Sequence, residues 1–188
     1  ITVKDLILTN NTQGVLFACT ENSRIENVTT SNSDWGIDLH YSNNNTVSGN
    51  NASNNERGII LINSINNTLN ANNCSNNYNG ICLHSYSNNN TLNQNNAKSN
   101  KFAGISLSYY SNNTTISQNS AHDNKEGISI SHSEGNILSN NNINSNEKNG
   151  ISLFESGSNA LRDNNVLNNG VGIVMTYSSN NNILNRNN

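Results

Sequence analysis

Eight glycines, at positions 14, 36, 58, 80, 104, 127, 150 and 172, divide the chain at intervals of 22, 22, 22, 24, 23, 23 and 22 residues. From the second unit on, each glycine is followed by apolar-x-apolar, as in Ile37 and Leu39, Ile59 and Leu61, or Ile105 and Leu107. The apolar period is 2, which belongs to a strand with one buried face. A unit this short cannot bury its own apolar face, so neighbouring units must stack to make a continuous core. Leucine-rich repeats share the length, but their paired leucine pattern is absent here.

Two further positions recur. An apolar residue comes eleven or twelve positions after each glycine (Ile25, Val47, Leu69, Leu92, Ile116, Leu138, Leu161, Leu184). Five residues later stands a small or aliphatic one (Thr30, Ala52, Cys74, Ala97, Ala121, Ile143, Val166). Three short strands per turn of chain, each sending one or two side chains inward, predict a coil of a parallel β-helix. At a strand spacing of about 4.8 Å, eight coils make a rod roughly 38 Å long.

Asparagine is the most abundant residue, with 50 of 188 positions. Three residues after the second-strand apolar position stand Asn50, Asn72, Asn95, Asn119, Asn141, Asn164 and Asn187. An amide both donates and accepts, so equivalent side chains stacked at the coil rise can pass hydrogen bonds along a column. These seven are predicted to form an inward ladder at a bend, where asparagine's tolerance of left-handed backbone also helps. The remaining asparagine-rich spots, among them Asn43, Asn44, Asn45, Asn54 and Asn55, are expected to be exposed turn residues. In the first coils the ladder position falls on Leu6 and Val28.

Only 11% of residues are charged and the net charge is −3. Such a balance gives no electrostatic basis for binding nucleic acid, and no stretch is apolar enough for membrane insertion. Cys19, Cys74 and Cys82 are odd in number and occupy three phases of the repeat. They are expected to be free thiols rather than a disulfide framework. Nine Asn-x-Ser/Thr sequons occur (Asn10, Asn27, Asn44, Asn51, Asn66, Asn73, Asn89, Asn112, Asn113). A chain this rich in Asn and Thr generates them by chance, so they lend only weak support to secretion.

The expectation is therefore an all-β, single-stranded right-handed parallel β-helix of about eight coils of 22–24 residues. Residues 1–188 form one domain, read as a segment of a larger protein. The phrase GI-x-L, followed by NNT-[LIV] and an Asn, resembles the NosD-like β-helix repeats of the wider carbohydrate-binding and sugar-hydrolase group. That resemblance covers essentially the whole chain and implies a cell-surface or secreted setting. The copper function in the family's name is not carried over: one Met, four His and three Cys form no cluster at ligand spacing. No metal and no cofactor is expected.

Function should lie on outward positions. On the first strand these include Asp38 with His40, Ile60 with Ile62, and Cys82 with His84. Asp38 and His40 are the only acid-base pair on that face, expected to be solvated. The stretch Trp35-Gly36-Ile37-Asp38-Leu39-His40 resembles the YGFDPH motif of mannuronan C5-epimerases. The resemblance makes Asp38 and His40 the catalytic acid and base, while Trp35 stands where the family has tyrosine and Leu39 replaces proline. No Lys or Arg occupies an outward position after the glycine on any first strand, although Arg57 and Arg24 lie near adjacent turns. Cys82 and His84, two coils and about 10 Å away, cannot share a four-ligand zinc with the first pair.

Tyr41, Tyr86, Tyr109, Tyr110 and Tyr177 all fall just after the first strand, where a line of rings could meet sugars. The leading reading is a non-catalytic cell-surface or secreted module that binds a polysaccharide or a neighbouring cell-surface protein. The alternatives are a polysaccharide lyase or C5-epimerase using Asp38 and His40, and a structural subunit of a surface layer or filament. For the last, end-to-end self-association through the apolar N-terminal coil (Leu6, Ile7, Leu8, Leu16, Ala18) is expected.

Overall fold

The computed structural model describes residues 1–188 and is a right-handed parallel β-helix throughout. Its first sheet has eight six-residue strands, from Gln13–Ala18, Trp35–His40, Arg57–Ile62 and Asn79–His84 to Val171–Thr176. The second has nine three-residue strands, from Thr2–Lys4 to Ile183–Asn185. The third runs in blocks of three and four strands, joined where Asn73 bridges Asn51 and Asn96. Every pairing is parallel and in register, so Ile37, Ile59, Ile81, Ile105, Ile128 and Ile151 form one inward column. These residues, the column beside them from Leu39 to Leu153, the apolar residues of the second- and third-strand columns, and Val15, Phe17 and Val28 make a single core of 28 buried side chains, from which Leu184 in the last coil is left out as exposed.

The opening glycines mark the corner where the chain enters the first sheet. A Cβ on Gly36 would lie 2.6 Å from the carbonyl oxygen of Gly58 in the next coil. No side chain fits there without parting the coils.

The predicted ladder is present and buried. Asn72 Nδ2 donates to Asn95 Oδ1 at 2.9 Å and to the Val47 carbonyl at 2.9 Å. Asn95 repeats this toward Asn119 and Leu69. The backbone N–H of each ladder residue also donates to the amide oxygen one coil on, as Asn72 does to Asn95. The left-handed residue is the one before each ladder asparagine (Gly49, Ala71, Gln94, Gln118, Asn140), not the ladder residue itself.

Two further asparagine ladders correct the expectation that Asn45 and Asn55 are exposed turn residues. Asn45, Asn67, Asn90, Asn136 and Asn159 are buried at the entry to the second sheet, and Asn55, Asn77, Asn100, Asn124 and Asn146 at the exit from the third. Each receives the backbone N–H of its counterpart one coil earlier or of a residue standing in that place, as in Asn45 to Asn67 and Asn55 to Asn77. Asn44 and Asn54, immediately before them, are the exposed left-handed residues. A serine column (Ser42, Ser64, Ser87, Ser111, Ser133, Ser156) does the same after the first sheet.

The first coil keeps the alternation. Val15 and Phe17 point inward and are buried, whereas Leu16 and Ile7 are exposed on the outside. Val28 fills the ladder position and donates its N–H to Asn50 Oδ1. All three cysteines are free, with Cys74 and Cys82 buried.

Replacing Asn95 by Leu leaves the Asn72 N–H and one Asn72 Nδ2 proton without partners in a dry interior. Each such group costs about 1–3 kcal/mol. Urea unfolding of Asn95→Leu should show a loss of at least about 2 kcal/mol, whereas Asn44→Gly, at an exposed left-handed bend that glycine also accommodates, should lose well under about 1 kcal/mol. Similar losses for the two variants would contradict the ladder's structural role.

Candidate functional site

The outer face of the first sheet holds most of the candidate residues. Register places Leu16, Asp38, Ile60 and Cys82 in one outward column, and Ala18, His40, Ile62 and His84 in the next. A groove of about 300 Å³ opens across the third to fifth strands, lined by Arg57, Ile60, Ile62, Asn79, Cys82 and His84, with Ser106 and Ser108 at its far end. Arg57 begins its strand at the glycine corner and packs its guanidinium over the Trp35 ring, 5.7 Å from the centroid. It supplies the cation that the outward positions of the first strands lack. Arg24 does not reach the groove, because it sits on the second sheet beside Glu26.

Asp38 is not a solvated surface residue. Its side chain leaves the sheet outward, yet the residue has 0% exposure, and Ile60 and Cys82 in the same column are buried too. Asp38 Oδ2 accepts from Gln13 Nε2 at 2.9 Å, and Oδ1 has no partner. Burial lifts its pKa from 3.8 to about 6, against the opposing pull of the His40 charge and the Gln13 hydrogen bond. His40 stands beside it, half-buried, with its ring stacked on Tyr41 at 4.8 Å. The acid and base thus share a strand as the sequence indicates, but no sugar atom can touch the carboxylate while Gln13 is in place.

Cys82 and His84 line the groove floor and wall. Burial raises the Cys82 thiol's pKa, so it stays protonated and unreactive. Burial, aided by Arg57, lowers that of His84. A neutral His84 can donate and accept at once, and its Nδ1 pairs with Ser85 Oγ.

The five tyrosines line one rim, all more than half exposed. Tyr86 stacks on Tyr110 at 5.3 Å, and Tyr109 faces His84 at 4.8 Å and His132 at 6.0 Å. Phe154 continues the run to Tyr177. Tyr41 stands apart, two coils from Tyr86. Sequence reading missed this run because His84 and Phe154 lie one position before the tyrosine phase of the repeat, and His132 stands in that phase without being a tyrosine. It also left Tyr78 unassigned; that ring stacks on Phe102 at a different corner.

All five tyrosines have positive φ, between 48° and 64°. Left-handed backbone disfavours a bulky side chain by roughly 1–2 kcal/mol, and the equivalent bend in the third coil uses Asn63.

Fold and face together define a right-handed parallel β-helix with a mixed polar and apolar groove beside an aromatic rim. Residues 80–188 match the family described as periplasmic copper-binding protein (NosD), and residues 1–128 match the right handed beta helix region. The chain belongs to this NosD family of β-helix repeat proteins. No curated protein matches it in sequence. Among solved structures it is similar to the periplasmic alginate epimerase AlgG, with 19% identity, a TM-score of 0.89, and coverage of 98% of this chain and 50% of that one. It is also similar to the Azotobacter vinelandii mannuronan C-5 epimerase AlgE4 A-module, with 16% identity, a TM-score of 0.84, and coverage of 96% and 57%. The chain thus spans about half the length of these enzymes, and at such identities the likeness shows the fold alone.

Copper in the family description finds no matching donor set here. No three His, Cys, Asp or Glu side chains come together to hold a metal ion. No helix is long and apolar enough to cross a membrane.

Asp38 gives a pH prediction. With a pKa of about 6 in the folded chain, it keeps a proton that the unfolded chain releases from about pH 4 upward. The folded state binds more protons in that window, so stability falls as pH rises through it and stays reduced above it. Asp38→Asn keeps an oxygen for Gln13 and removes the charge. It should be roughly 2–3 kcal/mol more stable than the parent at pH 7.5 and equal to it near pH 3.5. Matching urea midpoints at both pH values would show that the carboxylate is not buried as described.

Proposed function

We propose that this chain is a non-catalytic polysaccharide-binding module that works outside the cytoplasm and holds a glycan along the outer face of the first sheet. The observation that carries this reading is the placement of exposed tyrosines on left-handed backbone. Asparagine suits those bends at lower cost, so the rings are there for what they contact. The groove beside them offers what a sugar chain needs. Ile60 and Ile62 give an apolar floor, Asn79, Ser106 and Ser108 give hydrogen bonds, and Arg57 gives a cation for acidic sugars. The epimerase-like fold and the periplasmic description of the family agree with such a role and setting.

Affinity electrophoresis and calorimetry against neutral and uronate polysaccharides test the reading. Binding is expected, with Tyr109→Asn and Arg57→Gln each weakening it about tenfold, the loss of roughly 1.4 kcal/mol of contact. Asn is chosen because it tolerates the left-handed bend, so the variant keeps its fold. No binding to any polysaccharide at millimolar sugar would overturn the proposal.

A second reading, a lyase or C5-epimerase, is favoured by one observation: an unsatisfied carboxylate buried beside His40. It requires Gln13 to swing away and admit the sugar, which the binding reading does not. If it holds, the chain should exchange the uronate C5 proton with solvent deuterium, and both Asp38→Asn and His40→Ala should abolish the exchange. Binding without exchange would leave the module non-catalytic.

A further inference from the structure

The nine sequons are not equivalent once folded. Four of them, Asn44-Asn45-Thr46, Asn66-Asn67-Thr68, Asn89-Asn90-Thr91 and Asn113-Thr114-Thr115, occupy the same place in successive coils. Their threonines pair directly across the second sheet. Each of these asparagines is exposed on a left-handed bend, with φ between 54° and 58°. Its side-chain amide makes no hydrogen bond within the chain, and neither does the hydroxyl of the threonine two residues on. The residue between them points inward into a ladder and fixes the bend. The result is a file of four free carboxamides, each followed by a free outward hydroxyl, at intervals of about 4.8 Å.

Four other sequons are engaged. Asn27 Nδ2 donates to Asp5, and Asn73 Nδ2 to Asn51 and Ser53. Asn51 Oδ1 accepts from Ser53 and Asn73, and Asn112 Oδ1 accepts the Glu134 N–H. Ser53, Ser75 and Thr114, the hydroxyl residues of three of these, are buried. Asn10 is exposed and unbonded, but stands alone at another corner.

We propose that Asn44, Asn66, Asn89 and Asn113 are acceptors for N-linked oligosaccharide, and that Asn27, Asn51, Asn73 and Asn112 are not. In the transfer, Asn Nδ2 bonds to the anomeric carbon of an oligosaccharide carried on a lipid phosphate. The sugar–phosphate C–O bond breaks, the lipid phosphate leaves as the anion, and one amide proton passes to a base. Timing does not alter the selection. An engaged amide is held against the neighbouring coil, so sugar added there before folding must displace that contact, whereas at the file it projects from an exposed bend with no bond to lose. The inference is independent of what the groove binds.

The full chain, secreted through a pathway that transfers lipid-linked oligosaccharide, can be mapped by mass spectrometry of intact glycopeptides. Sugar is expected on the file, at occupancy at least tenfold above that of the four engaged sites, with Asn10 also open to it. Thr46→Ala should strip Asn44 alone and Thr46→Ser should retain its sugar, both with the parent's thermal midpoint, since Thr46 faces outward. A file without sugar, or equal occupancy at Asn27, Asn51, Asn73 and Asn112, would overturn the proposal.

Discussion

The fold depends on one two-residue unit: a left-handed residue followed by an inward amide or hydroxyl. A parallel coil must bend three times per turn, and at each bend a backbone N–H and a carbonyl turn into a dry interior. Left unpaired, each would cost more than a typical native hydrogen bond contributes. The inward asparagine resolves this by accepting the N–H of the preceding coil's counterpart and donating to a strand carbonyl of that same coil, as Asn72 does with Asn50 and Val47. Because the amide also bonds to its counterpart in the next coil, the bends are tied along the axis as firmly as the strands.

This unit explains the composition. Asparagine is the residue that serves both halves, since it tolerates left-handed backbone and its side chain can both donate and accept. Asn44-Asn45, Asn66-Asn67, Asn54-Asn55, Asn76-Asn77 and Asn140-Asn141 are such units, exposed bend first and buried ladder second. With polar groups satisfied inside by three asparagine columns and one serine column, a core of small aliphatic side chains suffices. The outer positions are then free to vary from coil to coil without disturbing the stack.

The strand columns and the first asparagine ladder were legible because their spacing from the glycines is fixed and their residue types are uniform. The other two ladders were not, because an asparagine pair does not say which member turns inward. Asn45 and Asn44 look alike in sequence, yet in the structure the first is buried and the second exposed. The Asp38-His40 pair could be read from strand alternation, but the sealing of Asp38 could not. That depends on Gln13, which stands 25 residues earlier and meets it only through the stacking of coils. Arg57 could be placed near an adjacent turn but not at the groove, for a similar reason. It lies before the glycine, where period-2 alternation breaks at the corner, so its approach to the groove is a property of the bend.

The aromatic rim follows from the same geometry and limits what it can hold. Stacked coils bring ring onto ring, so Tyr86 and Tyr110 lie 15° from parallel and Tyr109 and His132 lie 5° from parallel. At centroid separations of 5.3 and 6.0 Å there is no room for a sugar ring between them. Their faces are occupied by one another, and the rim presents edges and phenolic hydroxyls rather than open platforms. A ligand using this rim must therefore run along the helix axis, meeting a hydroxyl or ring edge from one coil to the next while its other side lies over Ile60, Ile62 and Arg57. That requirement suits an extended polymer better than a single sugar, because no one coil supplies a closed pocket. The rim is interrupted at Asn63, in the coil between Tyr41 and Tyr86, where Ile60 and Ile62 line the groove, so a chain there contacts the sheet itself.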